Sequence, residues 1–337
     1  MLGIPHGPNR RSTRPGLRGS VTALHCWLYD GRRARAITKL FIIGNGFDIH
    51  HGVRSRYTDF ADWLANVDRE VHAAVEEYLP TWVDADGKVQ NAWADLENNL
   101  EHFDIDQLLE HGSNFLPSYG ADDWSDSGHH DFEYELDRVI SSLSVGLHRN
   151  FVRWLGTLNI PKQIASPVRL LDPKAKFLNF NYTPTIQRLY GAANVLHIHG
   201  SLADPSSQIV LGHGWKPGAN DIWEDRIDED TDTRVAGGYR LIDEYFRKTF
   251  KPTTEIIRRN QAFFLGLDDV SEVYVFGHGL ADVDSPYFAE MLKHLPEDVQ
   301  WTISYHGGDR EREKIEAAAT KIGIPTGLAR FAFLRDL

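Results

Sequence analysis

Apolar positions along this chain fall into short unbroken runs separated by long amphipathic stretches. The first run, Leu40-Phe41-Ile42-Ile43, has no alternation with polar residues, which predicts a strand over 39–43 covered on both faces. It ends on Gly44-Asn45-Gly46, and Thr58-Asp59 then precedes Phe60, Trp63, Leu64 and Val67 at helical spacing. Strand, glycine-rich turn and helix in that order form the first half of an α/β nucleotide-binding unit. From about 60 to 160 the pattern is helical and rich in tryptophan. Within WADLENNLEHF the spacing predicts a buried stripe of Trp93, Leu96, Leu100 and Phe103, with Glu97 beside it. Residues 112–131 have loop composition.

Unbroken apolar runs return in the second half. KFLNF (176–180), VLHIHG (195–200) and QIVLGHG (208–214) predict three further strands, with a short helix over Thr185–Tyr190 between the first two. Residues 215–238 are acidic and glycine-bearing and are expected to be a loop or lid, followed by one long helix over roughly 240–265. EVYVFGHGLADVDSPYFAEMLKHL (272–295) repeats the strand, glycine turn, helix order. WTISYHGG (301–308) predicts a last strand ahead of a helix over 309–321 and a terminal FAFL segment. No repeat of fixed period is present. The fold expected is α/β, a mainly parallel sheet flanked by helices, with a helical insertion at about 60–160 after the first strand. The domain expected is 37–337, preceded by a flexible basic segment over 1–36.

Composition narrows this only modestly. With 42% hydrophobic and 25% charged residues the chain is an ordinary globular mixture. Its net charge of −12 disfavours broad contact with nucleic-acid phosphates. Residues 1–36 run the other way, with seven arginines against one aspartate. The single cysteine, Cys26, excludes a disulfide framework and a four-cysteine zinc site within one chain, and suits a reducing compartment. No run approaches the ~18 apolar residues of a membrane span, and residues 1–36 lack the apolar core of a signal peptide. A cytoplasmic protein without membrane contact is therefore expected.

Polar chemistry gathers where predicted strands end: Asn45, Asn181, His199, Gly212-His213, and His278 with Asp282 and Asp284. In open parallel sheets ligands bind outside the carboxyl ends of the strands, so these positions define an expected site. Gly44-Asn45-Gly46 opening a helix has the composition of a phosphate cradle, because glycines admit an anion to backbone N–H groups. Asp48 suits either a ribose hydroxyl or a helix cap. His50 and His51 diverge by about 100° on a helix and are expected to be mostly structural. Asn179 with Asn181, and His197 with His199, alternate so that each pair shares a strand face. Asp48, Asn181, His197, His199, His213 and His278 together would also suit a two-metal phosphoesterase, an alternative that spacing leaves open.

The motifs IIGNGFDIHHGVRSRYTDF (42–60), WADLE (93–97), FLNFNYTPTIQRLY (177–190), HIHGSL (197–202), VLGHG (210–214) and VFGHGLADVDSPYF (275–288) resemble, in order and spacing, the bacteriophage abortive infection AbiH family. That family is in turn similar to the sirtuin-like NAD-binding fold. Gly44, Gly46, Asp48 and Gly52 fall in step with its first glycine motif, Asn181-Tyr182-Thr183 with its Asn-x-Asp, His199-Gly200 with its catalytic His-Gly, and Gly277–Leu280 with its late glycine motif. This sequence departs from the pattern at Asp48, where serine is usual, at Thr183, where aspartate is, at Arg54, where proline is common, and at Gly279, where the AbiH pattern has serine. The four-cysteine zinc site of true sirtuins is missing.

The resemblance implies a phage-defence protein that hydrolyses NAD to nicotinamide and ADP-ribose on infection. Asn181, His199 and Asp48 would be catalytic, with His199 as general base at a pKa near neutral. Gly44, Asn45, Gly46, Phe47, Tyr182, Thr183, Gly200, Gly277, His278, Gly279 and Asp284 would bind the nucleotide. No metal and no cofactor is assigned; NAD is expected as substrate or ligand. A phage-derived trigger is the other expected partner, with self-association left open. A metal-dependent nuclease or phosphoesterase and a non-catalytic nucleotide sensor remain as alternatives.

Overall fold

A computed structural model describes residues 38–83, 89–116, 130–216, 218 and 221–337. The basic segment 1–36 and most of the loop expected over 112–131 lie outside the described residues. Strands are β1 (Thr38–Ile43), β2 (Trp82–Val83), β3 (Val89–Gln90), β4 (Lys176–Asn179), β5 (Val195–His197), β6 (Val270–Phe276), β7 (Gln300–Tyr305) and β8 (Ala329–Phe333). Six of them form one sheet in the order β5-β4-β1-β6-β7-β8, every neighbouring pair parallel, while β2 and β3 pair as a small antiparallel ribbon. Counted along the chain, the sheet strands run 3-2-1-4-5-6, the Rossmann order, in which the crevice opens where the winding reverses, here between β1 and β6.

The unbroken apolar run of β1 is explained by the two faces it covers. Leu40 and Ile42 point into one core with Leu178, Val273 and Val275; Phe41 and Ile43 point into the other with Phe177, Tyr274 and Phe276. Phe41 stacks between Phe177 and Tyr274, its ring centroid 5.2 and 4.8 Å from theirs.

Between β1 and β4 lie α1 (Asn45–His50), α2 (Tyr57–Val67), α3 (Arg69–Tyr78), α4 (Leu96–Asn99), α5 (Ile105–Ser113), α6 (Asp131–Ser141) and α7 (Leu147–Leu155), the last two joined by a π-turn over 142–146. Trp93, Leu96, Leu100 and Phe103 are all buried, as their spacing predicts. They belong to a third core with Phe60, Leu136, Phe151 and Trp154. Further on come α8 (Thr185–Tyr190), α9 (Thr233–Thr249), α10 (Thr253–Arg259), α11 (Gln261–Leu265), α12 (Ser285–His294) and α13 (Asp309–Ile322). Ile242, Tyr245 and Phe246 of α9 complete the helical core. Among the described residues no helix is long and apolar enough to cross a membrane.

Three expectations change. The loop or lid expected over 215–238 stops at 232, because the Asp232 side chain accepts from Arg234 N–H and starts α9 at Thr233. The single helix over 240–265 is three helices, because Pro252 cannot continue α9 and Asn260 ends α10. QIVLGHG is not a sheet strand; it makes only an isolated bridge, His213 to Phe250, with His213 N–H donating to the Thr249 carbonyl (2.9 Å) and Lys251 N–H to the His213 carbonyl (2.8 Å).

The turns after β1 and β6 pack backbone on backbone. Gly46 N–H donates to the Gly277 carbonyl at 2.8 Å, and Gly277 sits at φ +67 with the space for a Cβ filled by Phe47 N, 2.1 Å away. A side chain at 277 meets both steric overlap and a left-handed backbone. Gly279 has nothing within 4 Å of a Cβ and no such φ. Gly277→Ala should therefore cost about 2 kcal/mol or more, and Gly279→Ala about 0.5 kcal/mol or less. Thermal unfolding of the two variants checks this; equal midpoints would refute the close-approach account.

Candidate functional site

A cavity of about 180 Å³ opens at the carboxyl ends of β1, β4 and β6, at the reversal point of the sheet. Its polar side carries Asp48, Asn181, Thr183, His199, His278, Asp284 and Glu97; its apolar side is Phe151, Trp154, Leu155 and Leu158, from α7 and the residues after it. The helical segment thus supplies one wall and the sheet turns supply the other.

Asp48 lies on α1, which the turn Gly44–Gly46 launches toward the end of β4. Its carboxylate caps no helix; one oxygen accepts from the Thr183 hydroxyl, itself within 2.9 Å of the Thr185 hydroxyl, and the other has no partner. Burial pushes the Asp48 pKa up to about 6, with hydrogen bonds from Thr183, Thr185 and Asn181 pulling against it. Asn181 also donates its amide to the Gly44 carbonyl at 3.0 Å, so it ties the first turn to the end of β4. Thr183 thus faces Asp48 directly, joining the end of β4 to α1.

The deepest polar feature escaped the sequence reading. Lys251, fully buried in the break between α9 and α10, places its ammonium 2.9 Å from Glu97 and 3.4 Å from Asp284. Burial opposes that charge, but the two carboxylates outweigh it and hold the Lys251 pKa above its usual value. Asp284 is likewise penalised by burial, yet Lys251 and a hydrogen bond from His278 keep its carboxyl well below the ordinary range. Leu280 N–H donates to His278 Nδ1 (2.9 Å), so the ring proton sits on Nε2, 3.3 Å from Asp284. That contact needs Leu280 at φ 54, a left-handed conformation rare for leucine. His199 Nε2 stands 3.5 Å from Asp284 with no hydrogen-bond partner. Burial, helped by the Lys251 charge, drives its pKa down to about 3. His199 is therefore neutral at physiological pH, not poised near neutrality; Asp48 holds that position.

Other expected residues fall as follows. Gly44, Asn45, Tyr182, Gly277 and Gly279 line the cavity, while Gly46, Phe47 and Gly200 do not. Phe47 is a core residue beneath β1, and Gly200 packs against the Gln208 backbone. As an anion cradle the first turn is already committed, since Gly46 N–H goes to Gly277 and Phe47 N–H to Gly44. Asn45 bonds Ser55 at the cavity rim. His50 and His51 bond the Ser166 carbonyl (3.1 Å) and the Tyr190 hydroxyl (2.7 Å). Gly212-His213 does not reach the cavity; it seats Thr249–Lys251, with a Gly212 Cβ only 2.1 Å from the Thr249 oxygen. Asp282 pairs outward with Lys321 (2.6 Å).

The two-metal donor set is not assembled. His197 is held by the Asn181 carbonyl and Gln187, and His213 by Thr249. Among the described residues no three His, Cys, Asp or Glu side chains converge as metal ligands. Lys251 stands where a cation would bridge Glu97 and Asp284.

This is a Rossmann-like α/β protein with a buried, carboxylate-rich pocket at its topological switch point. The family model described as bacteriophage abortive infection AbiH matches residues 40–305, most of the chain, and the protein belongs to that family of phage-defence proteins. No curated protein and no solved structure gives a significant match.

Lys251→Met leaves two buried carboxylates facing each other and should lower the unfolding free energy by about 3–5 kcal/mol. Adding Glu97→Gln should recover about half of it, as read by denaturant unfolding. A second stability effect has the opposite sign. Because the folded pKa of Asp48 is raised from 3.8 to about 6, its contribution to stability is complete below pH 3.8 and lost as pH rises through 6. Asp48→Asn should then be more stable than the parent at pH 7.5, by up to about 3 kcal/mol, with the gain vanishing near pH 4. Parallel unfolding curves across that range would contradict it.

Proposed function

We propose that this protein acts in abortive infection as a hydrolase of the N-glycosidic bond of NAD, releasing nicotinamide and ADP-ribose. The observation that carries the reading is a buried carboxylate, Asp48, with one unpartnered oxygen and a pKa of about 6, lining the same cavity as the neutral, unpartnered imidazole of His199. A pKa near the working pH is what acid–base catalysis needs. The motif resemblance to the sirtuin-like pattern, at residues 44–52, 181–183 and 199–200, supplies the substrate. An aromatic and aliphatic wall from Phe151 to Leu158 suits a flat base.

In the reaction the bond from ribose C1′ to the pyridinium nitrogen breaks, and the nitrogen keeps the electron pair and leaves as neutral nicotinamide. Water forms the new C1′–O bond and gives its proton to Asp48. The transition state is oxocarbenium-like, and the ionised Asp48 and Asp284 stabilise its positive charge. His199, a neutral group on the cavity wall, orients a ribose hydroxyl. Asn181 serves as a positioning residue that holds Asp48 and the Gly44 turn. Cavity size also limits the reading: ~180 Å³ is below the ~300–1,000 Å³ of pockets enclosing whole ligands, so only the ribosyl-nicotinamide end enters.

NAD is measured in phage-infected cells expressing the parent, Asp48→Asn or His199→Ala. A fall in NAD with the parent alone is expected, and constant NAD with protection intact would overturn the proposal. With purified protein, Asp48→Asn should lower nicotinamide release by about 10²-fold or more, and parent activity should rise with pH through about 6 as Asp48 ionises.

A further inference from the structure

Resting on that glycohydrolase reading, we infer that the cavity selects the cationic ribosyl-pyridinium end of its substrate by charge and makes no use of the phosphates, so that nicotinamide riboside is a substrate alongside NAD. The first support is the charge inventory. Asp48, Glu97 and Asp284 line the cavity, and among the described residues no lysine or arginine does. Lys251 does not line the cavity; it is fully buried and is engaged by Glu97 and Asp284 together. Three largely buried carboxyl groups are set against one ammonium; burial raises the pKa of Asp48 and Glu97, and a cation entering the cavity offsets the negative charge that burial makes costly there. Independently of that cluster, Asp48 Oδ1 is buried and unpartnered.

The second support is the fate of the expected phosphate contacts. The N–H groups of Gly46 and Phe47 are bonded to the Gly277 and Gly44 carbonyls, and close contact with Gly277 fills the space beside Gly46. Arg54 and Arg56, flanking the cavity residue Ser55, are solvent-exposed, and Arg54 is paired with Asp59 at 2.9 Å. Exposed and screened, they contribute little to discrimination. On the apolar side the Phe151 and Trp154 rings add a face that favours a cationic heterocycle over a neutral one.

The test compares release of the base from NAD, nicotinamide mononucleotide, nicotinamide riboside and NADH by the purified protein. NADH carries the same phosphates on a neutral ring. The inference expects kcat/KM for nicotinamide riboside within tenfold of that for NAD, with NADH uncleaved. Cleavage of NAD with a drop of more than tenfold for the riboside would overturn it while leaving the glycohydrolase reading intact. If neither is cleaved, that reading fails, and binding decides the charge selection. 1-Methylnicotinamide, a cation methylated on the ring nitrogen, should then bind at least tenfold more tightly than neutral nicotinamide by thermal shift, with the preference reduced in Asp48→Asn. Equal affinity for the two would overturn the inference.

Discussion

A buried ammonium held between two carboxylates organises this molecule. Lys251, Glu97 and Asp284 come from three distant parts of the chain: the break after α9, the short α4 in the helical segment, and the turn leading into α12. None of the three charges is tolerable alone in that position, because each would be desolvated without compensation. Folding must bring all three together, and in doing so it closes the helical segment over the carboxyl end of the sheet. His278 then takes its orientation from Asp284, and His199 stands beside the same carboxylate, so much of the polar lining of the cavity gathers around this cluster.

The glycine turns serve a different end from the one their composition suggests. In a dinucleotide fold such glycines admit a pyrophosphate to the backbone. Here Gly44, Gly46 and Gly277 admit each other's turns, and the hydrogen-bond capacity of the first turn is largely spent on protein. The consequence is a narrow cavity whose chemistry comes from carboxylates and imidazoles, with Asp48 near neutrality and His199 far below it. Burial raises one and lowers the other because it disfavours whichever form is charged.

Much of the sheet was legible because its strands are covered on both faces and therefore read as unbroken apolar runs. β1, β4 and β6 were predicted to within two or three residues, and α8 to the residue. Gathering of Asn181, His199, His278 and Asp284 at one edge followed from their places at strand ends. Glu97 was legible as the polar neighbour of a buried stripe, though not its partner. QIVLGHG misled because an extended segment paired to an irregular one has the same apolar signature as a strand. The break at Phe250-Lys251-Pro252 was hidden by apolar periodicity continuing on both sides of it.

Local chemistry in the sequence thus determined the parallel α/β framework and the edge of the sheet where function gathers, since both depend on side-chain periodicity and on turn residues close to one another in the chain. Only the tertiary structure decided which groups meet there. A lysine after a helix carries no sign that it will be buried, because its ion partners lie far away along the chain. Nor can a histidine's sequence neighbours reveal how far burial will move its pKa, for desolvation is a property of everything packed around the ring.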